Sequence, residues 1–87
     1  APNWRMAAFL INLSQRLKKR GLSANDFILR MSREEIGSYL GLKLETVSRT
    51  LSKFGQEGLV EVEYKHIRLL KPERLKQLAS GIQPAVV

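Results

Sequence analysis

Residues 40–43, Leu-Gly-Leu-Lys, separate two short apolar-periodic segments, and their spacing constrains the fold more than any other feature of this 87-residue chain. Gly41 can adopt the left-handed backbone conformation that turns a chain sharply, and Gly37 leaves room for two helices to cross closely. The pattern predicts a helix-turn-helix, with an ordinary helical hairpin as the alternative. The apolar residues that such a unit must bury are Ile36, Leu40, Leu42 and Val47.

Capping residues and apolar spacing predict four helices. Asn3 is the expected N-cap of the first helix, and Gly21 its stop. Ser32 followed by Glu35 forms a capping box at the start of the second helix. Pro72 suits the first position of the last helix. The predicted helices span Asn3 to Arg20, Ser32 to about Leu40, Leu44 to about Glu57, and Pro72 to near Gly81.

Strand patterns follow the third helix. Leu59–Tyr64 alternates apolar and polar residues, and Ile67–Leu70 can return beside it around a turn at residues 64–66. Phe27–Met31 is short, apolar and without helical caps, so we expect a short strand or an extended segment there. We expect the tail Ile82–Val87 to be frayed. The predicted fold class is mainly α with a small β-hairpin, a winged helix-turn-helix.

The composition favours a polyanionic partner. Fifteen Lys and Arg against eight Asp and Glu give a formal charge of +7, which attracts phosphate through counterion release. A solvated basic surface and binding to anionic lipid are the alternatives. The length allows one domain over residues 1–87 and is too short for a deep catalytic cleft, so we do not expect an enzyme.

The absence of cysteine and the single histidine exclude zinc fingers, iron–sulfur ligation and disulfide scaffolds within this chain. We therefore expect no cofactor and no metal site here. No run of 18 apolar residues could cross a bilayer, and the start lacks the order of a signal peptide. We expect a cytoplasmic protein without membrane contact.

The third helix carries the candidate base-reading residues. The residues spaced to point away from its apolar stripe are Leu44, Glu45, Ser48, Arg49 and Ser52. Arg49 can pair with guanine O6 and N7, Glu45 can accept from a cytosine amino group, and Ser48 can contact a base edge. The alternative for Arg49 and Glu45 is an ion pair within the helix, and both roles can coexist.

A second set of polar side chains can bind the phosphate backbone, although each also suits a solvated surface. His66, at the expected hairpin turn, could titrate against phosphate or be an exposed turn residue. The candidate backbone contacts are Ser38, Lys43, Ser52, Lys53 and Lys65.

The stretch Ser32–Arg49, with residues 58–60 (Gly-Leu-Val) behind it, resembles the DNA-binding domain of the CRP/FNR transcription regulators. The resemblance extends from about Met6 to about Ala79 and so covers most of the chain. It implies a winged helix with the third helix in the DNA major groove.

Within this family, residues 45–49 (Glu-Thr-Val-Ser-Arg) are similar to the FNR branch, where Glu, Ser and Arg of E-x-x-S-R contact bases. The CRP branch has Arg at the place of Leu44 and Gly at the place of Ser48. The resemblance therefore implies a TTGAT-like half-site, recognised by the helix at about 44–57.

Three residues depart from the family pattern. Lys43 stands where Ser or Thr usually caps the recognition helix, so we expect that cap to be lost. Thr50 stands where an apolar inner residue is expected. Tyr64 replaces the glycine of the hairpin tip, which predicts a wider or differently shaped turn.

The resemblance also implies a larger bacterial regulator, with a β-roll sensor domain able to carry a cofactor and a long dimerisation helix before this domain. We expect the present chain to be a monomer, and the intact protein to be a homodimer able to contact RNA polymerase. A winged-helix protein-interaction module is the alternative function. Such a module would need an exposed apolar patch, whereas the third helix offers mostly polar residues.

Overall fold

The computed structural model describes residues 2–80, and its order of elements is that of a winged helix-turn-helix. The elements are α1 (Pro2–Lys19), β1 (Asp26–Ile28), α2 (Arg33–Leu40), α3 (Leu44–Gln56), β2 (Val60–Glu63), β3 (His66–Leu69) and α4 (Pro72–Ser80). The strands form one antiparallel sheet in the order β1-β3-β2. The predicted frayed tail, residues 82–87, lies outside the described residues.

Helix α1 buries its apolar stripe against the rest of the domain, and Met6 and Leu10 are fully buried. The prediction of Asn3 as N-cap is wrong, because the helix begins at Pro2 and Asn3 lies in its first turn. The fixed φ of proline suits that first position. Gly21, with φ 77°, provides the left-handed residue that follows the helix.

The capping box predicted for α2 is confirmed. The Ser32 hydroxyl accepts a hydrogen bond from the Glu35 backbone N–H at 3.1 Å, and the Glu35 carboxylate accepts one from the Ser32 backbone N–H at 2.9 Å. Gly41 ends the helix in the left-handed conformation with φ 72°. Both ends of α2 are therefore fixed by local hydrogen bonds and backbone geometry.

Gly37 lies where the two helices of the helix-turn-helix approach each other. A Cβ atom at this position would lie 2.5 Å from the carbonyl oxygen of Leu42. The Leu42 N–H donates to the Gly37 carbonyl at 2.8 Å, and Ile36 and Val47 are fully buried beside them. The crossing predicted from this glycine is confirmed, and it leaves no room for a larger residue.

Strands β2 and β3 form the wing, and Glu63 pairs with His66 at its tip. The turn therefore contains only Tyr64 and Lys65, and the prediction that His66 belongs to it is wrong. His66 is held in β3 because it has a strand partner on each side, Glu63 and Ile28. The expected widening also does not occur, since Tyr64 itself takes the left-handed φ of 57°.

The short strand predicted at 27–31 is confirmed in place but ends earlier. Strand β1 pairs Asp26 with Arg68 and Ile28 with His66. The next partner of Leu29 would be Lys65, where the hairpin turns, so the ladder stops there. A single bond from the Leu29 N–H to the Lys65 carbonyl, at 2.7 Å, closes it.

Candidate nucleic-acid interface

Helix α3 presents two chemically different faces. Its inner face is buried through Val47, Leu51 and Phe54, and Thr50 is buried with them although it is polar. The spacing of three and four residues turns the remaining side chains outward. As predicted, this leaves the candidate contacts exposed: Glu45, Ser48, Arg49, Ser52 and Lys53.

The ion pair that is the alternative role of Glu45 and Arg49 is present but loose. An Arg49 Nη atom lies 3.9 Å from a Glu45 Oε atom, and the two side chains are 79% and 85% exposed. A pair this long and this solvated contributes little stability. Both side chains therefore stay available to an external partner while remaining on one helix face.

Lys43 precedes α3 at the N-cap position, with extended backbone at φ −74° and ψ 153°. It makes no side-chain capping bond, as its departure from the family pattern predicted. The residue is exposed and directly precedes the first free N–H groups of the helix, where the helix dipole favours negative charge. The N-terminus of α3 therefore has a lysine at its N-cap position and no side-chain cap.

One open cleft joins α3 to the wing and to the start of α2. Ser48 and Ser52 line it together with Arg33 and Val62. Lys65 lies at the wing tip and is half-buried. Ser38 is exposed on α2 and does not line this cleft. The cleft thus brings Ser48 and Ser52 together with Arg33 and the wing, and the other predicted contacts are not among its lining residues.

Arg33 is the residue of this surface that sequence reasoning missed. Its Nη2 donates to the carbonyl oxygen of Tyr64 at 2.9 Å and so ties α2 to the wing tip. The two residues are 31 positions apart, and only the folded sheet brings the tip to the start of α2. In the sequence, the only local indication of a role for Arg33 is that a basic residue directly follows the Ser32 cap.

The outward face of the sheet carries a charge network that stays within the domain. Arg68 lies 3.6 Å from Asp26 and 3.3 Å from Glu61, and the His66 ring bonds to Asp26. The hydrogen bond from His66, with the positive charge of Arg68, lowers the pKa of Asp26. The His66 ring is thus engaged by a carboxylate of β1 and is not a free group at a turn.

No group of three or more metal-ligating side chains occurs among residues 2–80. Within the same residues, no helix is both long enough and apolar enough to cross a membrane.

The model of the Crp-like helix-turn-helix domain matches residues 5–78. The chain belongs to this family. Its E-x-x-S-R sequence and its relatives place it with the FNR branch of the CRP/FNR DNA-binding transcription regulators. The helices and the antiparallel sheet described above form the winged helix-turn-helix of that family.

Curated relatives carry the same domain within longer chains. Transcriptional regulatory protein btr of Bordetella pertussis is 60% identical over 74 residues, which cover 85% of this chain and 31% of that protein. Transcriptional activator protein FnrA of Stutzerimonas stutzeri is 56% identical over 93% of this chain and 33% of its own length. The chain therefore spans about a third of the relatives that it matches.

Solved structures show the same fold. FixK2 from Bradyrhizobium japonicum superposes with a TM-score of 0.80 and 37% identity, covering 99% of this chain and 40% of that one. The catabolite activator protein of Thermus thermophilus gives a TM-score of 0.72 at 27% identity, over 94% and 35% of the two chains.

Proposed function

We propose that this chain binds double-stranded DNA sequence-specifically, with α3 in the major groove of a TTGAT-like half-site. The observation that carries the proposal is the outward face of α3, where Glu45, Ser48 and Arg49 are exposed and, within residues 2–80, are engaged only by one loose ion pair. Arg49 pairs with guanine, Glu45 accepts from a cytosine amino group, and Ser48 contacts a base edge.

The phosphate backbone is bound by basic and hydroxyl side chains around that face. Lys43 precedes α3 and Lys53 lies in its last turn. Ser52 lines the cleft beside the helix, and Lys65 extends the contact to the wing. Ser38, exposed on α2, completes this set. The net charge of +7 supports such contacts and makes the affinity fall as salt rises.

Two substitutions on one helix separate base reading from phosphate binding. Arg49→Ala should cost about 1–3 kcal/mol on a TTGAT palindrome and little on random duplex, because a base-pairing contact is lost. Lys53→Ala is the matched control and should weaken both duplexes equally. Equal losses on both duplexes with Arg49→Ala would show that Arg49 binds phosphate, and the base-reading role would be wrong.

We propose further that the intact regulator is a cytoplasmic homodimer and that this domain alone is a monomer. Contact with RNA polymerase, and any cofactor in a sensor domain, belong to that longer protein. Fusing a two-stranded coiled coil ahead of Met6 should sharpen discrimination of the palindrome over one half-site, because the second binding event becomes intramolecular. Light scattering that shows a stable dimer of the unfused chain at micromolar concentration would contradict the monomer.

A protein-interaction module remains the alternative function. The outward face of α3 is polar apart from the half-exposed Leu44, which disfavours α3 as a protein-docking surface.

A further inference from the structure

Tyr64 occupies the one position of the wing where a tyrosine is least favourable. Its φ is 57°, and it alone among the described non-glycine residues has a positive φ. Both common two-residue hairpin turns require this conformation at their first central residue, and Gly, Asn or Asp normally supplies it. A bulky side chain there is in conflict with the following backbone.

Packing within the domain does not compensate for that conformation. The Tyr64 residue is 83% exposed, and its ring and phenol have no hydrogen bond or ring contact among residues 2–80. Unfavourable backbone conformations are retained mainly where a function needs them. The benefit of this tyrosine therefore lies outside the domain, in something that the wing tip binds.

The turn is held firmly against the DNA-facing surface. Arg33 donates to the Tyr64 carbonyl at 2.9 Å, and Leu29 donates to the Lys65 carbonyl at 2.7 Å. Arg33 also lines the cleft that Ser48 shares with the wing. The exposed phenol is thus carried by a fixed turn next to the outward face of α3.

We propose that Tyr64 is a DNA contact, whose phenol donates a hydrogen bond to a phosphate oxygen beside the groove that α3 occupies. Lys65 adds a cation next to it, and Arg33 is a positioning residue that holds the turn. Because phosphate contacts carry no base information, Tyr64 adds affinity without sequence preference. This inference rests on the proposed DNA-binding function.

The test compares Tyr64→Gly and Tyr64→Phe with the parent chain by thermal unfolding and by binding to palindromic and random duplexes. Tyr64→Gly should raise the unfolding midpoint by about 3 °C, because glycine adopts the positive φ of the turn without strain. The same change should lower the affinity for both duplexes about fivefold, because the phenol is lost. Tyr64→Phe should keep the midpoint and lose about as much affinity. Tyr39→Phe, at an exposed tyrosine of α2, is the matched control and should change neither.

Unchanged DNA affinity in both Tyr64 variants would overturn the inference, and so would a loss confined to one sequence. Measuring Arg49→Ala on the same duplexes distinguishes a wrong role for Tyr64 from a wrong proposed function. If Arg49→Ala still abolishes the preference for the palindrome, only the role of Tyr64 is wrong. If the parent chain binds neither duplex, both proposals fail.

Discussion

The two helices of the helix-turn-helix differ in how their N-termini are capped and in how closely their glycines are packed. Helix α2 begins with the reciprocal bonds between Ser32 and Glu35, and its Gly37 lies against the backbone of the turn. Helix α3 begins at Lys43 without a side-chain cap, and a Cβ at its Gly55 would come no closer than 4.0 Å to other elements. Helix α2 thus fixes the geometry of the crossing, while α3 begins without a side-chain cap and keeps polar groups exposed on its outer face.

The largest expected effect is at the helix crossing. Gly37→Ala should destabilise the domain by about 2 kcal/mol, because its new methyl group meets the rigid Leu42 carbonyl at 2.5 Å. Gly55→Ala, the matched change in α3, should be neutral or stabilising by up to about 1 kcal/mol. Denaturant unfolding of both variants measures the difference. Equal changes in unfolding free energy for the two variants would show that Gly37 and Gly55 do not differ in packing.

The second expected effect is at the cap of α2. Ser32→Ala should cost about 1 kcal/mol of unfolding free energy, because the Glu35 N–H loses its acceptor. Binding of DNA by the folded variant should stay near that of the parent chain. A change below the error of denaturant unfolding would mean that the capping box does not stabilise α2.

Adding the missing side-chain cap to α3 should change the unfolding free energy less than the loss of the α2 cap does, and should raise it. Lys43→Ser should raise the unfolding free energy by about 0.5–1 kcal/mol, because a hydroxyl can accept from the first turn. The same change should weaken DNA binding on all sequences and reduce the salt slope by about one, since a phosphate contact is lost. Unchanged binding with raised stability would remove Lys43 from the proposed interface.

The smallest effect is the acid dependence of the α2 cap. The hydrogen bonds from Ser32 to the Glu35 carboxylate lower its pKa below the ordinary value of 4.5. The resulting stability is complete above pH 4.5 and is lost as the pH falls through the lowered pKa of the folded state. Glu35→Gln, which keeps the acceptor but cannot titrate, should lose less stability over that range. Identical acid profiles would contradict this assignment.

The sequence predicted those parts of the fold that depend on local chemistry. The capping box, the Gly41 turn and the apolar stripe of α3 each follow from neighbours within a few residues, and all three are confirmed. The base-reading and phosphate-binding roles stay predictions. The exposure of the residues proposed for them on α3 is confirmed.

The parts that sequence reasoning missed depend on distant pairing. Strand β1 is limited to three residues because its partner β3 begins at the hairpin turn. The hydrogen bond from Arg33 to Tyr64 joins residues 31 positions apart. The exclusion of His66 from the turn likewise depends on its partners across the sheet. Neither propensity nor periodicity in one segment contains that information.

The most direct test of the central claim is a salt-titrated binding measurement of the parent chain with two duplexes, a palindrome of TTGAT and ATCAA and a random sequence of equal length. We expect the affinity to fall steeply with salt on both duplexes and the palindrome to be bound more tightly at every salt concentration. Affinity that is flat in salt, or equal on the two duplexes throughout, would contradict it.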